Sequence, residues 1–277
     1  DPDDLRAEAE LHPTGQTPFV HGAEVVRIVE KDGAAAGVEL ADGTVAPADR
    51  VVAGVAPGRL VARALDRDGD VGPRGTDRSG SGAGQVPGRF TVLLSLRGAR
   101  DPDAAHRTVV HSPDGSAEAA DVFAGRTAAL PTVTVTRPDD PATRPDEGHE
   151  AVTLTATVAA HTPLDWSDPA LRERYADVLA ERAGAALPGL AQRLIRREVR
   201  TPADTEAQTG AAGGSVPPPA LAGGSGGFLY PANSTRLTGL YRAGGWAHPG
   251  GGLAHAGMSG ALVAGLIVEG AEFRGSR

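Results

Sequence analysis

The amino-acid sequence predicts an α/β chain of the α+β kind, and three observations carry that prediction. Residues 150–159, Glu-Ala-Val-Thr-Leu-Thr-Ala-Thr-Val-Ala, alternate apolar side chains with threonine, the period of two expected of a sheet with one buried face. Asp168-Pro169, an N-cap acid followed by a first-turn proline, opens a stretch that places Leu171, Tyr175, Val178, Leu179, Ala186 and Leu187 at helical spacing. Residues 240–267 run from a short strand through a glycine-dense turn into an apolar helix.

The elements follow in order. Residues 22–30 and 37–45 are β-type runs separated by Lys31-Asp32-Gly33-Ala34, and Asp42-Gly43 adds a tight-turn signal, so this region reads as a meander. Residues 47–54 make a buried-strand candidate, and Leu60, Val61, Ala64 and Leu65 put a short helix over 59–65. Residues 66–88 hold too few apolar groups to offset an ordering cost of about 1–2 kcal/mol per residue and read as a loop. Strands resume at 90–96, 108–111 and 132–136, so the middle of the chain is an antiparallel sheet. The helix from Asp168 ends at Pro188-Gly189, and 190–197 reads as one more helix with Arg193, Arg196 and Arg197 near its end. That arginine cluster fits a solvated face or, as the sharper option, a membrane contact. From 209 to 227, with Pro217-Pro218-Pro219, no regular structure is expected.

Composition narrows the function. A chain of 277 residues is ample for a buried core. With 27 basic against 35 acidic side chains and a net charge of -8, there is no general attraction to phosphate backbones, which argues against nucleic acid as a partner. There is no cysteine, so redox chemistry requires a bound cofactor. The start at Asp1 carries no signal-peptide pattern and looks cut from something longer. The apolar run 261–268 is broken by Gly265 and far short of the roughly 20 residues of a membrane span. A cytoplasmic location is expected. No P-loop lysine or His-Glu metal helix is present.

The run Gly244-Gly245-x-x-His248-Pro249-Gly250-Gly251-Gly252-x-x-x-x-Gly257-x-Ser259-Gly260-x-x-x-Ala264 resembles the C-terminal flavin signature of the phytoene desaturase-like FAD oxidoreductases, carotenoid desaturases, isomerases and relatives within the amine-oxidase superfamily. Two further blocks agree in order. Gly22-Ala23-Glu24-Val25-x-x-Ile28, with Gly37 to Gly43 and Ala48 to Val52, is similar to the family's adenine-side strands. Thr162-Pro163 through Trp166, Pro188-Gly189-Leu190 and Thr201-Pro202 resemble its substrate-domain segment. Members begin with a G-x-G-x-x-G turn that holds the FAD pyrophosphate, and nothing here matches it.

The resemblance implies the C-terminal part of such a protein: an FAD/NAD(P)-binding domain portion with an inserted antiparallel-sheet substrate domain. Residues 1–65 and 228–277 would complete the flavin domain, 86–205 would form the substrate domain, and 66–85 and 206–227 would be linkers. The implied cofactor is FAD, held by Val25, Gly244, Gly245, Gly250, Gly251, Gly252, Ala256, Gly257 and Met258. The implied substrate is an extended apolar polyene, isoprenoid or lipid that gives up a hydride, with peripheral membrane contact. A same-family isomerase or saturase, or a truncated fragment acting as an interaction module without cofactor, are the alternatives. No catalytic side chain is identified.

The residues themselves support both a sharp and a bland reading. A helix starting near residues 255–259 points free amides and about half a positive charge at whatever precedes it, which favours an anionic reduced flavin if the ring's pyrimidine edge lies there. Gly250 to Gly252 also fit a turn before a core helix. Trp246 fits a flavin-side position or, more simply, a buried indole with a satisfied N–H. His248 and His255 lack a nearby acid, so no metal site is expected. The Asn233-Ser234-Thr235 sequon matters only in a secreted chain.

Overall fold

The computed structural model describes residues 9–11, 18–56, 87–162, 164–216 and 230–275, and the helix expected over 59–65 and most of the loop over 66–88 lie outside them. The chain divides into two compact units, residues 82–216 and residues 1–81 with 217–277. No helix among the described residues is long and apolar enough to cross a membrane.

The unit at 82–216 is built on five antiparallel strands. In chain order the first unit's strands are β1 (Ala9–Leu11), β2 (Pro18–Val20), β3 (Val25–Lys31), β4 (Ala34–Leu40), β5 (Val45–Pro47) and β6 (Val51–Ala53). The second unit continues with β7 (Gly88–Arg97), β8 (Arg107–Val110), helix α1 (Gly115–Phe123), β9 (Val133–Thr136), β10 (His149–Val158), α2 (Pro169–Ala183), a one-turn α3 (Leu190–Arg193), β11 (Leu194–Arg200) and α4 (Pro202–Thr209). The sheet order is β11-β7-β10-β9-β8. Register places Leu154 of β10 between Val92 of β7 and Val135 of β9, so the apolar half of each alternating pattern falls on one face. That face, with Phe90, Leu94, Leu96 and Val152, packs under α2 through Tyr175, Ala176, Leu179 and Ala183. Each such large side chain contributes about 1.5–3 kcal/mol of burial. Phe90 and Trp166 each meet Tyr175 edge-on and lie tilted to one another, with centroids 5.1–5.5 Å apart, and the Trp166 indole N–H donates to the Ala159 carbonyl at 2.8 Å.

Asp168 caps α2 as expected, its carboxylate accepting the Ala170 N–H at 2.9 Å. The expected helix over 190–197 is corrected: only Leu190–Arg193 is helical, and Leu194–Arg200 is a strand pairing with β7. The sheet edge outweighs local propensity here, because Val199 is buried only in the extended form. The arginines of the cluster stand beside acids, Arg196 being 76% exposed and 3.7 Å from Glu198, in keeping with a solvated face. Arg193 reaches Glu150 at 2.7 Å and Arg197 pairs with Glu173 and Asp177. Helix α4 occupies the start of the stretch expected as linker, its N-terminus closed by a capping box between Thr201 and Asp204.

In the other unit, β3, β4 and β5 form the expected meander, with Ile28, Ala35 and Leu40 inward. β6 pairs in parallel with β12 (Leu240–Arg242), and helix α5 (Leu253–Val268) follows. The buried strand expected over 47–54 is corrected: Val52 and Val55 are exposed among the described residues, so β6 has an uncovered face.

Candidate functional site

The passage from β12 to α5 is held by two buried polar side chains. The backbone of residues 231–233 lies alongside it: the Arg242 N–H donates to the Asn233 carbonyl at 2.7 Å and the His248 N–H to the Pro231 carbonyl at 2.9 Å. Asn233, 4% exposed, turns its amide inward, where its two N–H groups are shared among the carbonyls of Arg242 (3.1 Å) and His248 (2.9 Å) and Ser259 Oγ (2.9 Å). Ser259, fully buried, also accepts the Gly244 N–H at 3.1 Å. Asparagine thus ties both ends of the 242–248 loop to α5. Sequence reading took Asn233 only as a sequon member; buried with its amide engaged, it is no glycan acceptor in the folded chain. The signal for Ser259 was present: with Val263 one turn on, it forms the buried stripe of an otherwise alanine and glycine-rich helix.

The expected cofactor residues fall into three settings. Gly244 (φ 92°) and Gly252 (φ 104°) have nothing within 4 Å of a notional Cβ, so both backbones border open space. Gly252 precedes α5 without any side-chain cap, and Leu253 beside it is 93% exposed, so the first-turn amides point away from the core. Helix α5 begins at Leu253, slightly before the expected 255–259. Gly250 and Gly251 are buried instead. Gly251 gives its carbonyl to His255 Nδ1–H at 2.9 Å, and Gly250 packs on the Tyr230 ring, where a Cβ would lie 2.7 Å from Cε2. Gly250→Ala is therefore expected to cost about 1–3 kcal/mol in thermal or urea unfolding, because ring and backbone must both shift. Gly245 is half-buried. Ala256, Gly257 and Met258 continue along α5, Met258 55% exposed. Trp246 is half-buried, and its indole makes no hydrogen bond with a described residue.

Val25 sits elsewhere, in an apolar cleft of about 340 Å³ lined with Ile28, Val38, Val51, Val52 and Val55. Strand β6 links the two places. It lines that cleft, and its Ala53 carbonyl accepts the Ala243 N–H at 3.0 Å just before Gly244. Gly54 lines the Val25 cleft, but none of the glycines over 244–257 does.

The electrostatics around the loop are positive. Arg242 has its Nε buried without a hydrogen-bond partner among the described residues, and burial pulls its pKa below the usual arginine range. The α5 N-terminus adds the positive end of the helix dipole, and no acid stands in its first turn. Tyr230 is pushed up by burial, opposed in part by the Gly251 amide at its hydroxyl. No group of three metal-ligating side chains occurs among the described residues.

No protein-family model matches the chain. Over most of its length it is similar to carotenoid desaturases. It is 32% identical over 254 residues to the neurosporene-forming phytoene desaturase of Rhodobacter capsulatus, covering 87% of this chain and 47% of that protein. It is 32% identical over 257 residues to the hydroxyneurosporene desaturase of Rubrivivax gelatinosus, covering 88% and 46%. The chain thus spans about half the length of the curated relatives it matches. In fold it is similar to an oxidoreductase from Methanosarcina mazei, with a TM-score of 0.53 at 16% identity over 88% of this chain and 48% of that one. The resemblance carried by the C-terminal motif is borne out by these relatives, and so is the mixed helix and sheet fold.

Proposed function

We propose, starting from the chain's relationship to the phytoene desaturase-like proteins, that it is the C-terminal part of an FAD-dependent oxidoreductase acting on an apolar polyene or isoprenoid. The carrying observation is the uncapped α5 N-terminus behind a loop pinned by Asn233 and Ser259. Residues 18–56 and 230–275 then contribute to the flavin domain, and 87–205 form the substrate domain.

The donor set fits a flavin. The first-turn amides of α5, Gly244 and Gly245 would hold an anionic, electron-rich group through backbone N–H groups, and the Arg242 charge would suit it. Val25 would offer main-chain groups to an adenine, with the surrounding valines as an apolar wall. When bound, FAD supplies the two-electron chemistry by which a polyene loses hydride. The chain's own residues orient, hold charge and exclude water, which requires no catalytic acid on this loop. The pyrophosphate-holding turn would come from residues outside this sequence, and the exposed apolar Leu253, Met258 and Val268 of α5 suit packing against further protein.

The chain alone is expected to bind FAD weakly or not at all, while a longer protein that includes a G-x-G-x-x-G turn should purify yellow. A colourless longer protein from FAD-rich cells would remove the reading. In that longer protein Gly245→Val is expected to abolish flavin retention after gel filtration; retention at the level of the parent would take Gly245 out of the site.

A further inference from the structure

The five-stranded sheet has a second face that the core does not use. Opposite the apolar face it carries Thr155 and Thr157 of β10 and Thr134 and Thr136 of β9, and these line a groove of about 650 Å³ with α1 as one wall. Arginines stand at its two ends. Arg89 is directly opposite Thr157, and Arg107 directly opposite Thr136, which pairs across with Thr153. Three strand spacings and four residues separate them, so their Cα atoms are about 20 Å apart along the diagonal. Neither guanidinium makes an ion pair or hydrogen bond with a described residue, although each borders the groove.

The ends are not equivalent. The one carboxylate among the lining residues, Glu118, lies at the Arg89 end, where it accepts the Thr132 N–H (2.6 Å) and hydroxyl (2.7 Å). That end offers both a donor and acceptors. The Arg107 end has a cation with no lining acid beside it. Between them, threonine methyl groups, Ala119, Val122 and Phe123 present apolar surface broken by hydroxyls.

We infer that this groove binds an elongated unsaturated chain bearing a carboxylate, with the carboxylate on Arg107 and the tail running toward Arg89. A plain hydrocarbon would leave the guanidinium and the hydroxyls facing an apolar chain without gain, whereas an acid end group forms a charge-assisted pair there. The inference rests on the proposed function for the polyene nature of the chain; the groove itself can be tested without flavin.

The test titrates the 277-residue chain with a conjugated tetraenoic fatty acid matched to a groove of about 20 Å, following its fluorescence, and repeats the titration with the methyl ester. The acid is expected to bind saturably and about tenfold more tightly than the ester. Arg107→Gln should bring the two to parity with ester affinity unchanged, while Arg89→Gln keeps the preference for the acid. Equal binding of acid and ester by the parent, a preference that survives Arg107→Gln, or no saturable binding would each overturn the inference. Flavin retention by the longer protein is read separately, so an acid preference in a colourless protein would sink the flavin reading and leave the groove standing.

Discussion

Replacing Glu150 with alanine is expected to lower the unfolding free energy by about 3–5 kcal/mol, more than any other single truncation of a charged side chain in the sheet unit. The Glu150 side chain is 1% exposed and lies between two arginines: Arg137 binds it with Nε at 2.6 Å and a second nitrogen at 3.1 Å, and Arg193 reaches it at 2.7 Å. Removing the carboxylate leaves Arg137 buried beside Arg193 with no counter-charge. Both the lost attraction and the new repulsion then act in a region poorly screened by water. The triad also closes the sheet unit, since Arg193 donates to the Arg97 and Gly98 carbonyls at the end of β7. Urea unfolding monitored through Trp166 gives the measurement; a loss under about 1 kcal/mol would show that the pair contributes no more than a surface bridge.

The same residue sets a pH dependence. Burial pushes the Glu150 carboxyl up, but the hydrogen bonds and charges of Arg137 and Arg193 outweigh burial and hold its pKa below the usual glutamate value. A depressed folded pKa means that the stabilisation is fully present above the unfolded value of about 4.3 and is lost as pH falls through the folded one. The stability difference between parent and Glu150→Ala should therefore narrow as the pH falls below about 4.3. Parallel curves down to low pH would contradict this assignment.

Asn233→Asp is the second large expected effect. The change keeps shape and swaps an amide donor for a carboxylate oxygen facing the Arg242 and His248 carbonyls. Two acceptors lose their donor and face a like partial charge, for a cost of about 3 kcal/mol or more. Because Asn233 ties the 242–248 loop to α5, the longer protein carrying this change should also lose flavin while the 82–216 sheet keeps its far-ultraviolet signature. Ser259→Ala, which removes one acceptor and one side of the network, should cost about 1–2 kcal/mol and weaken flavin retention less. Full flavin retention by Asn233→Asp would separate the network from the cofactor site.

Sequence periodicity located the sheet well because the physics there is local. Threonine alternating with apolar residues over β10 and β9 leaves one register that buries the apolar set, since a one-residue slip would turn all of it to water. Asp168-Pro169 and Asp42-Gly43 worked for the same reason: cap and turn chemistry acts within a few residues. β11 was misread because its arginines have good helix propensity, and only pairing with β7 supplies the opposing term. Helix α1, between β8 and β9, carried no apolar stripe strong enough to be seen.

By itself, then, the sequence determined the alternating sheet, the capped helix over it, the glycine-dense turn before α5 and the kinship with carotenoid desaturases, all written in spacings of a few residues. The tertiary structure alone decided which of those glycines border open space and which pack on Tyr230, and that Asn233 and Ser259 meet across 26 positions. It also decided that Glu150 sits between two arginines, and that Arg89 and Arg107 stand at opposite ends of one groove. Such pairings depend on strand order and on how the chain returns to itself, and no local pattern encodes the distance between residues that meet only after folding.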